Sequence, residues 1–186
     1  MSEPVLERLR SLLRSEGGLI AALVEHAAPE PDPERDPSPA AVLAEGPRTR
    51  ERSAEYQLLV EAVYEGYLLH YGQPRVVRAA EADLSLLAGD RLYAIGLARL
   101  VALGDTLAVA ELADTITLCA LAHGAGEPAL ADAVWRAGTR AVGWGTSEPH
   151  RRAKDLVLAG SPEALDAMRT CAGAAAGSRA NGPRYC

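Results

Sequence analysis

Residues 84–105 form the most continuously apolar stretch of the chain. On a helical wheel, Leu84 and Leu87 fall on one side of this stretch, and Leu97 and Leu100 fall on the other. A helix that lacks a polar face is normally enclosed by other helices. We therefore expect this segment to lie at the centre of a helical bundle.

The other apolar residues also recur at helical spacing, in segments separated by Gly and Pro. The clearest case is the segment 53–71, in which Tyr56, Val63 and Tyr67 share a face and Gly72 ends the pattern. Alanine and leucine dominate the composition, and β-branched residues do not form alternating runs. The pattern predicts an all-α protein with helices over residues 3–16, 19–27, 53–71, 75–103 (bent near Gly89), 106–122, 128–141, 151–159 and 161–171.

Changes in composition divide the chain into four parts. Residues 1–27 are predicted to form an N-terminal helical arm. Residues 28–52 are predicted to form a linker or a long surface loop, because residues 29–39 contain five prolines among acidic residues. Residues 53–171 are predicted to form the helical bundle domain, and the glycine-rich residues 172–186 are predicted to form a flexible tail.

Composition and charge exclude several classes of protein. The formal net charge is −6, and no Lys/Arg cluster with interleaved aromatic residues is present, so nucleic acid is not the expected partner. The sequence predicts no membrane span and no signal peptide, and we expect a cytoplasmic protein. The residues His150, Arg151, Arg152 and Lys154 are interpreted as a solvated helix start. The three cysteines lack metal-ligand spacing and are expected to be reduced thiols.

Two glutamates in the segment 53–71 are the strongest candidates for chemistry. Glu61 and Glu65 are one helical turn apart, so their carboxylates project from the same side. Such a pair could bind a divalent metal ion or share a proton. On spacing alone, two solvated surface glutamates are the competing interpretation.

The order of motifs around this pair resembles the middle of the trans-polyprenyl diphosphate synthases. That family carries a first aspartate-rich motif D-D-x-x-D, then R-R-G-x-P, then a helix with L-x-G-D. The corresponding residues here are E-A-V-Y-E at 61–65, H-Y-G-Q-P at 70–74 and L-A-G-D at 87–90. The resemblance covers residues 53–123 and implies a helical bundle similar to part of the isoprenoid synthase fold.

The departures from the family pattern bear on function. Family catalysis relies on aspartates that hold magnesium ions on an allylic diphosphate. Here the first and last acids of the motif are glutamates, Ala62 replaces the second, and His70 and Tyr71 replace the arginine pair. No second aspartate-rich motif follows. The resemblance therefore implies a small, non-catalytic or regulatory subunit that packs on a catalytic prenyl synthase and shapes its product tunnel.

Two alternatives stay open at this point. A divergent magnesium-dependent prenyltransferase would use Glu61, Glu65 and Asp90 or Asp83 as metal ligands, whereas the leading hypothesis needs no cofactor. A helical scaffold could have kept the fold and lost the lipid chemistry.

A homodimer is also expected, because the helices that flank Gly89 are apolar on both sides. The residues expected to face the tunnel or the partner are Leu68, Leu69, Tyr93, Leu97 and Leu100.

Overall fold

The computed structural model describes residues 4–24 and 38–173, and within these ranges the chain is an all-α helical bundle without a β-strand. The prediction of an all-α fold is confirmed. Two 3-10 helices, Pro39–Ala44 and Arg50–Arg52, precede the long helices. The α-helices are α1 Val5–Glu16, α2 Gly18–Ala22, α3 Ser53–Tyr71, α4 Ala82–Ala102, α5 Thr106–Gly124, α6 Pro128–Trp144, α7 Glu148–Leu158 and α8 Ala164–Gly173.

Helix α3 lies at the centre of the bundle, because two hydrophobic clusters pack against different sides of it. The larger cluster joins α3 to α5, α6, α7 and α8, with Trp135 fully buried. The smaller cluster joins α3 to α1, α2 and α4. Because α3 is covered on both sides, it has no polar face, and the charged residues near its middle are buried.

The prediction that residues 84–105 are enclosed by other helices is wrong. Helix α4 packs one side against α3, but Leu87 is 58% exposed and Val101 is 55% exposed on the other side. Glycines allow the packed side to approach α3 closely: a Cβ atom added at Gly96 would lie 2.4 Å from a methyl carbon of Val63. An apolar surface therefore remains on the outside of α4.

The segment between α3 and α4, residues 72–81, is not helical, whereas the sequence predicted a helix from residue 75 onward. Pro74 disfavours helix for the residue before it, and the backbone N–H groups that follow bind side-chain and loop acceptors. Val77 forms an isolated antiparallel bridge with Val24 at the end of the α2 segment, and the backbone N–H of Arg78 donates to the carbonyl of Leu23. Helix α4 then begins at Ala82.

The second half of the predicted linker belongs to the core. Ala40 and Leu43 are buried against α3 and α6, and the hydroxyl of Thr49 donates to the carbonyl of Leu43. The backbone N–H of Arg48 donates to the carbonyl of Gly143 at the end of α6. Pro39 therefore begins a 3-10 helix that packs on the bundle, and this part of the chain is not a solvated connector. Residues 28–37 of that prediction, and residues 174–186 of the predicted tail, lie outside the described residues.

Helices α5 to α8 follow the predicted order, with ends that agree to within three residues. Asp105 caps α5 through the backbone N–H of Ala108, and its carboxylate also accepts a hydrogen bond from the hydroxyl of Tyr56. Within the described ranges, α5 is long and apolar enough to cross a membrane by length and composition alone. The same property is common in core helices of bundles, and the buried side of α5 packs on α6.

Candidate functional site

The two glutamates that stand out in the sequence lie inside the protein. Glu61 is 1% exposed and Glu65 is 0% exposed, so the interpretation of both as solvated surface residues is wrong. Their partner is Arg75, which lies in the non-helical segment that follows α3. One guanidinium N–H donates to Glu61 Oε2 at 2.6 Å, and Nε donates to Glu65 Oε2 at 3.2 Å. We call these three residues the Arg75 cluster.

Backbone amides complete the environment of Glu65. Its Oε1 atom accepts hydrogen bonds from the backbone N–H groups of Arg75, Val76 and Val77, at 2.6, 2.6 and 3.2 Å. Three successive amides around one carboxylate oxygen form a strong anion site. Glu65 thus holds the bend of the backbone at residues 75–77, in the non-helical segment between α3 and α4.

The surroundings of Arg75 favour its charged guanidinium. Burial disfavours the charged guanidinium, but the two carboxylates outweigh burial, so the pKa of Arg75 is raised above its usual value. The ring of Tyr64 covers one face of the guanidinium, with Cζ 5.1 Å from the ring centroid. Arg10 of α1 donates to the Arg75 carbonyl at 3.0 Å. The cluster therefore connects α1, α3 and the non-helical segment between α3 and α4.

The three residues predicted as metal ligands do not form one group. Glu61 and Glu65 are engaged by Arg75, whereas Asp90 is largely exposed on α4 and lies 3.2 Å from Nε2 of His70. Within residues 4–24 and 38–173, no group of three or more His, Cys, Asp or Glu side chains could hold a metal ion. The carboxylates at positions 61 and 65 thus share the Arg75 guanidinium as a cationic partner.

The L-A-G-D motif positions His70. A Cβ atom added at Gly89 would lie 2.6 Å from Cδ2 and Nε2 of His70, so only glycine leaves room for the imidazole. The imidazole stacks on Tyr93 with an interplanar angle of 2°. Asp90 completes this contact between the end of α3 and the start of α4. In this chain the motif therefore serves helix packing.

Aromatic side chains fill the space between α3, α5 and α6. The ring of Trp135 lies 5.1 Å from that of Tyr64 and 5.2 Å from that of Tyr67, and the two tyrosine rings stack at 5.7 Å. The Tyr67 hydroxyl lies 2.9 Å from Nε2 of His123, and burial lowers the pKa of this histidine. Burial also raises the pKa of Tyr67. Aromatic rings therefore pack together in the interior between α3, α5 and α6.

The residues predicted to face a tunnel or a partner fall into two groups. Leu69 is 6% exposed and Leu100 is 0% exposed, so both are core residues of this chain. Leu68, Tyr93 and Leu97 are partly exposed and pack against the edge of the larger cluster. Only the second group has surface that another molecule can contact.

A second buried ionic cluster lies between α5 and α7. Glu111 is 4% exposed and His150 is 4% exposed, and Nε2 of His150 lies 2.6 Å from Glu111 Oε1. Lys154 Nζ and the Thr146 hydroxyl both donate to Glu111 Oε2, at 2.9 and 2.8 Å. We call these four residues the Glu111 cluster. They border a groove of about 500 Å³ whose lining includes Glu111, Thr146, Lys154 and three leucines.

Sequence reasoning missed the Glu111 cluster. It interpreted His150 as part of a solvated helix start, but His150 is buried, so that interpretation is wrong for this residue. Arg151 and Arg152 are exposed, as expected. The available signal was Glu111 itself, a single acid within the most apolar part of α5, because a buried carboxylate needs a cationic or hydrogen-bonding partner.

We compared the chain with protein-family models, with curated proteins and with solved structures, and none of the three comparisons gave a match. Function must therefore be inferred from the geometry of this chain.

Proposed function

We propose that this chain is a non-catalytic subunit of a polyprenyl diphosphate synthase, which packs on a catalytic partner and shapes the tunnel for the growing product. The observation that carries the proposal is the closed Arg75 cluster. Glu61 and Glu65 stand where the resembling family has metal-binding aspartates, and both carboxylates are bound by Arg75. A carboxylate held by a buried guanidinium is not free to hold magnesium on a diphosphate.

The packed interior supports the same proposal. A long prenyl chain needs an elongated apolar channel, but Tyr64, Tyr67 and Trp135 fill the space between α3, α5 and α6. A tunnel would therefore be built with a second protein. Leu68, Tyr93 and Leu97 offer partly exposed apolar surface for this purpose.

The experiment compares the chain alone with a mixture of the chain and a catalytic polyprenyl synthase from the same cell. The readouts are magnesium-dependent pyrophosphate release from isopentenyl and allylic diphosphates, and the chain length of the product. We expect no release by the chain alone. In the mixture we expect increased release or a changed product length.

A matched pair of variants tests the location of the tunnel wall. Leu97→Trp adds bulk at the proposed partner-facing side and should shorten the product of the mixture. Leu158→Trp adds the same bulk at an exposed position of α7 and should leave product length unchanged. Equal effects of the two variants would contradict a tunnel wall at Leu97.

The same assay separates the two alternatives. Magnesium-dependent release by the chain alone would identify it as a divergent prenyltransferase. If the chain neither copurifies with a synthase nor changes the product of the synthase, the interpretation as a helical scaffold is favoured. Both outcomes would overturn the subunit proposal.

A further inference from the structure

Aromatic rings form a continuous path from the surface of the bundle to its interior. Tyr71 at the end of α3 is 43% exposed, whereas Trp135 in α6 is 0% exposed. The ring of Tyr67 lies between them, with its centroid 5.6 Å from that of Tyr71 and 5.2 Å from that of Trp135. Rings whose centroids are about 4.5–7 Å apart are in contact. An electron can therefore pass from one ring of this path to the next.

The hydroxyl group of Tyr67 has a base within hydrogen-bond distance. Its oxygen lies 2.9 Å from Nε2 of His123 in α5. Burial lowers the pKa of His123, so the imidazole is neutral at neutral pH and its Nε2 atom can accept the phenolic hydrogen. Because the two groups are already in contact, a proton can cross from Tyr67 to His123 without any movement of the side chains.

Trp135 lacks a comparable proton acceptor. Its indole Nε1–H group is buried and has no hydrogen-bond partner within residues 4–24 and 38–173. Loss of an electron from Trp135 would leave a positive charge in an apolar interior, and no neighbouring base could remove it by taking the proton. Tyr67 can release its proton to His123 and remain uncharged. Of these two rings, Tyr67 is therefore the one that better accommodates the oxidised state.

We propose that Tyr67 and His123 form a proton-coupled redox pair, which yields a tyrosyl radical when a one-electron oxidant acts at the exposed ring of Tyr71. The oxidant is a species such as an organic peroxyl radical or an oxidised metal complex. It accepts one electron, which Tyr67 supplies through the ring of Tyr71. The O–H bond of Tyr67 breaks, and its proton forms a bond with Nε2 of His123. The products are a neutral phenoxyl radical, an imidazolium ion and the oxidant reduced by one electron.

The position of His123 suits the positive charge that it receives. His123 lies in the last turn of α5, and the carbonyl end of a helix favours a cation. Its side chain is partly exposed, so water can solvate the imidazolium. Its ring also stacks on Tyr71, with centroids 4.2 Å apart and an interplanar angle of 2°. The charge thus ends at the edge of the bundle, whereas the radical stays on Tyr67, which is 9% exposed.

The first experiment oxidises the chain with a photo-oxidised tris-bipyridine ruthenium complex and detects the long-lived tyrosyl radical by electron paramagnetic resonance. All proteins carry Tyr185→Phe, because Tyr185 lies outside the described residues. Tyr67→Phe keeps the ring but removes the proton that His123 accepts, and should lower the radical yield by about 10-fold or more. The matched control is Tyr56→Phe, which should keep the yield. Tyr56 is in the same helix and 7% exposed, but its hydroxyl donates to Asp105.

The second experiment tests the transfer of the proton and the entry through Tyr71, by transient absorption after a laser flash. Radical formation should be slower in heavy water, because the O–D bond of Tyr67 breaks as the electron leaves. His123→Gln supplies a hydrogen-bond acceptor that is not a base, and should slow radical formation by about 100-fold. Tyr71→Leu keeps an apolar side chain but removes the exposed ring, and should also slow it. Circular dichroism verifies that each variant is folded.

Three results would overturn the proposal. The first is the absence of a long-lived tyrosyl radical, or a loss in Tyr56→Phe equal to that in Tyr67→Phe. The second is an equal rate of radical formation in ordinary and heavy water. The third is a radical that disappears in Tyr71→Leu but persists unchanged in Tyr67→Phe, because the oxidised state would then lie at the surface. Since both experiments use this chain alone, their outcome does not depend on the proposed synthase partner.

Discussion

The Arg75 cluster and the Glu111 cluster are both buried in the described part of the chain, and they differ in how completely the protein surrounds them. In the Arg75 cluster, both carboxylates and the guanidinium are less than 9% exposed. In the Glu111 cluster, the glutamate and the histidine are as deeply buried, but Lys154 reaches them from the groove between α5 and α7 and also binds the exposed carboxylate of Asp114.

This difference indicates different roles. A fully enclosed cluster contributes to structure, because breaking it leaves a charge without water or partner. A cluster with one side on a groove can exchange protein contacts for solvent at lower cost. The Arg75 cluster therefore determines how α1, α3 and the segment before α4 fit together, whereas the Glu111 cluster joins two helices and leaves part of its charge accessible.

Arg75→Met should have the largest effect on stability. It removes the guanidinium that contacts both Glu61 and Glu65, and the two buried carboxylates would then lose this counter-charge. The expected loss is about 3–5 kcal/mol in the free energy of unfolding. Urea denaturation followed by circular dichroism measures this loss.

The control for this prediction is Arg99→Met. Arg99 also pairs with a glutamate, Glu16, but its side chain is 45% exposed. Exposed pairs contribute about 0–1 kcal/mol. If the two variants lose equal stability, burial does not distinguish the Arg75 cluster from a surface ion pair.

Glu111→Gln should have the second largest effect. Glutamine keeps the shape of the side chain but loses the charge that His150 and Lys154 bind on opposite oxygens. Hydrogen bonds to a charged group contribute about 1.5–3 kcal/mol, so we expect a loss of about 2 kcal/mol. If the free energy of unfolding falls as much as in Arg75→Met, access to the groove does not lower the cost of breaking the Glu111 cluster.

The sequence predicted the helices better than their arrangement. Helix α3 matches its predicted ends because helical periodicity and the glycine that ends the helix are local signals, and the chain order of α5 to α8 is confirmed for the same reason. The exposure of α4 was not predictable from periodicity, because a helix rich in alanine is apolar on every side whether or not another helix covers it. Residues 38–52 were predicted to belong to a linker because of the prolines before and within them. Proline also suits the first position of a 3-10 helix, and Pro39 begins one that packs on α3.

For the candidate sites, the sequence identified the chemical groups but not their partners. It selected Glu61 and Glu65 for their spacing, and the two do act together. Arg75 lies beyond a helix end, and its approach depends on the bend at residues 75–77, whose backbone amides bind Glu65. His150 and Glu111 are 39 residues apart, so only the tertiary fold brings them together.

The Glu111 cluster should also make stability depend on acid pH. Burial raises the pKa of Glu111, but hydrogen bonds from His150 and Lys154 outweigh burial, so the pKa lies below its ordinary value of 4.5. A carboxyl group with a lowered folded pKa stabilises the fold above its unfolded pKa, and this contribution is lost as the pH falls through the folded pKa.

Urea denaturation at several pH values below neutrality measures this dependence. The unmodified chain should lose stability below about pH 4.5 more steeply than Glu111→Gln, which lacks the titrating group. The pKa of Asp105 is also lowered, despite burial, by its hydrogen bonds from Ala108 and Tyr56 and by Arg48, so some acid dependence should remain in the variant. Parallel curves for the two proteins would contradict a stabilising role for the Glu111 charge.

Lys154→Met should have the smallest effect and gives the sharpest test of the difference between the clusters. Because His150 and Thr146 still donate to Glu111 after the substitution, the carboxylate keeps two of its three partners. Water from the groove can replace the ammonium group, so we expect a loss of about 1 kcal/mol or less, measured by the same urea denaturation. A loss of several kcal/mol would show that Lys154 is as indispensable to Glu111 as Arg75 is to its two glutamates, and the distinction between an enclosed and an open cluster would then fail.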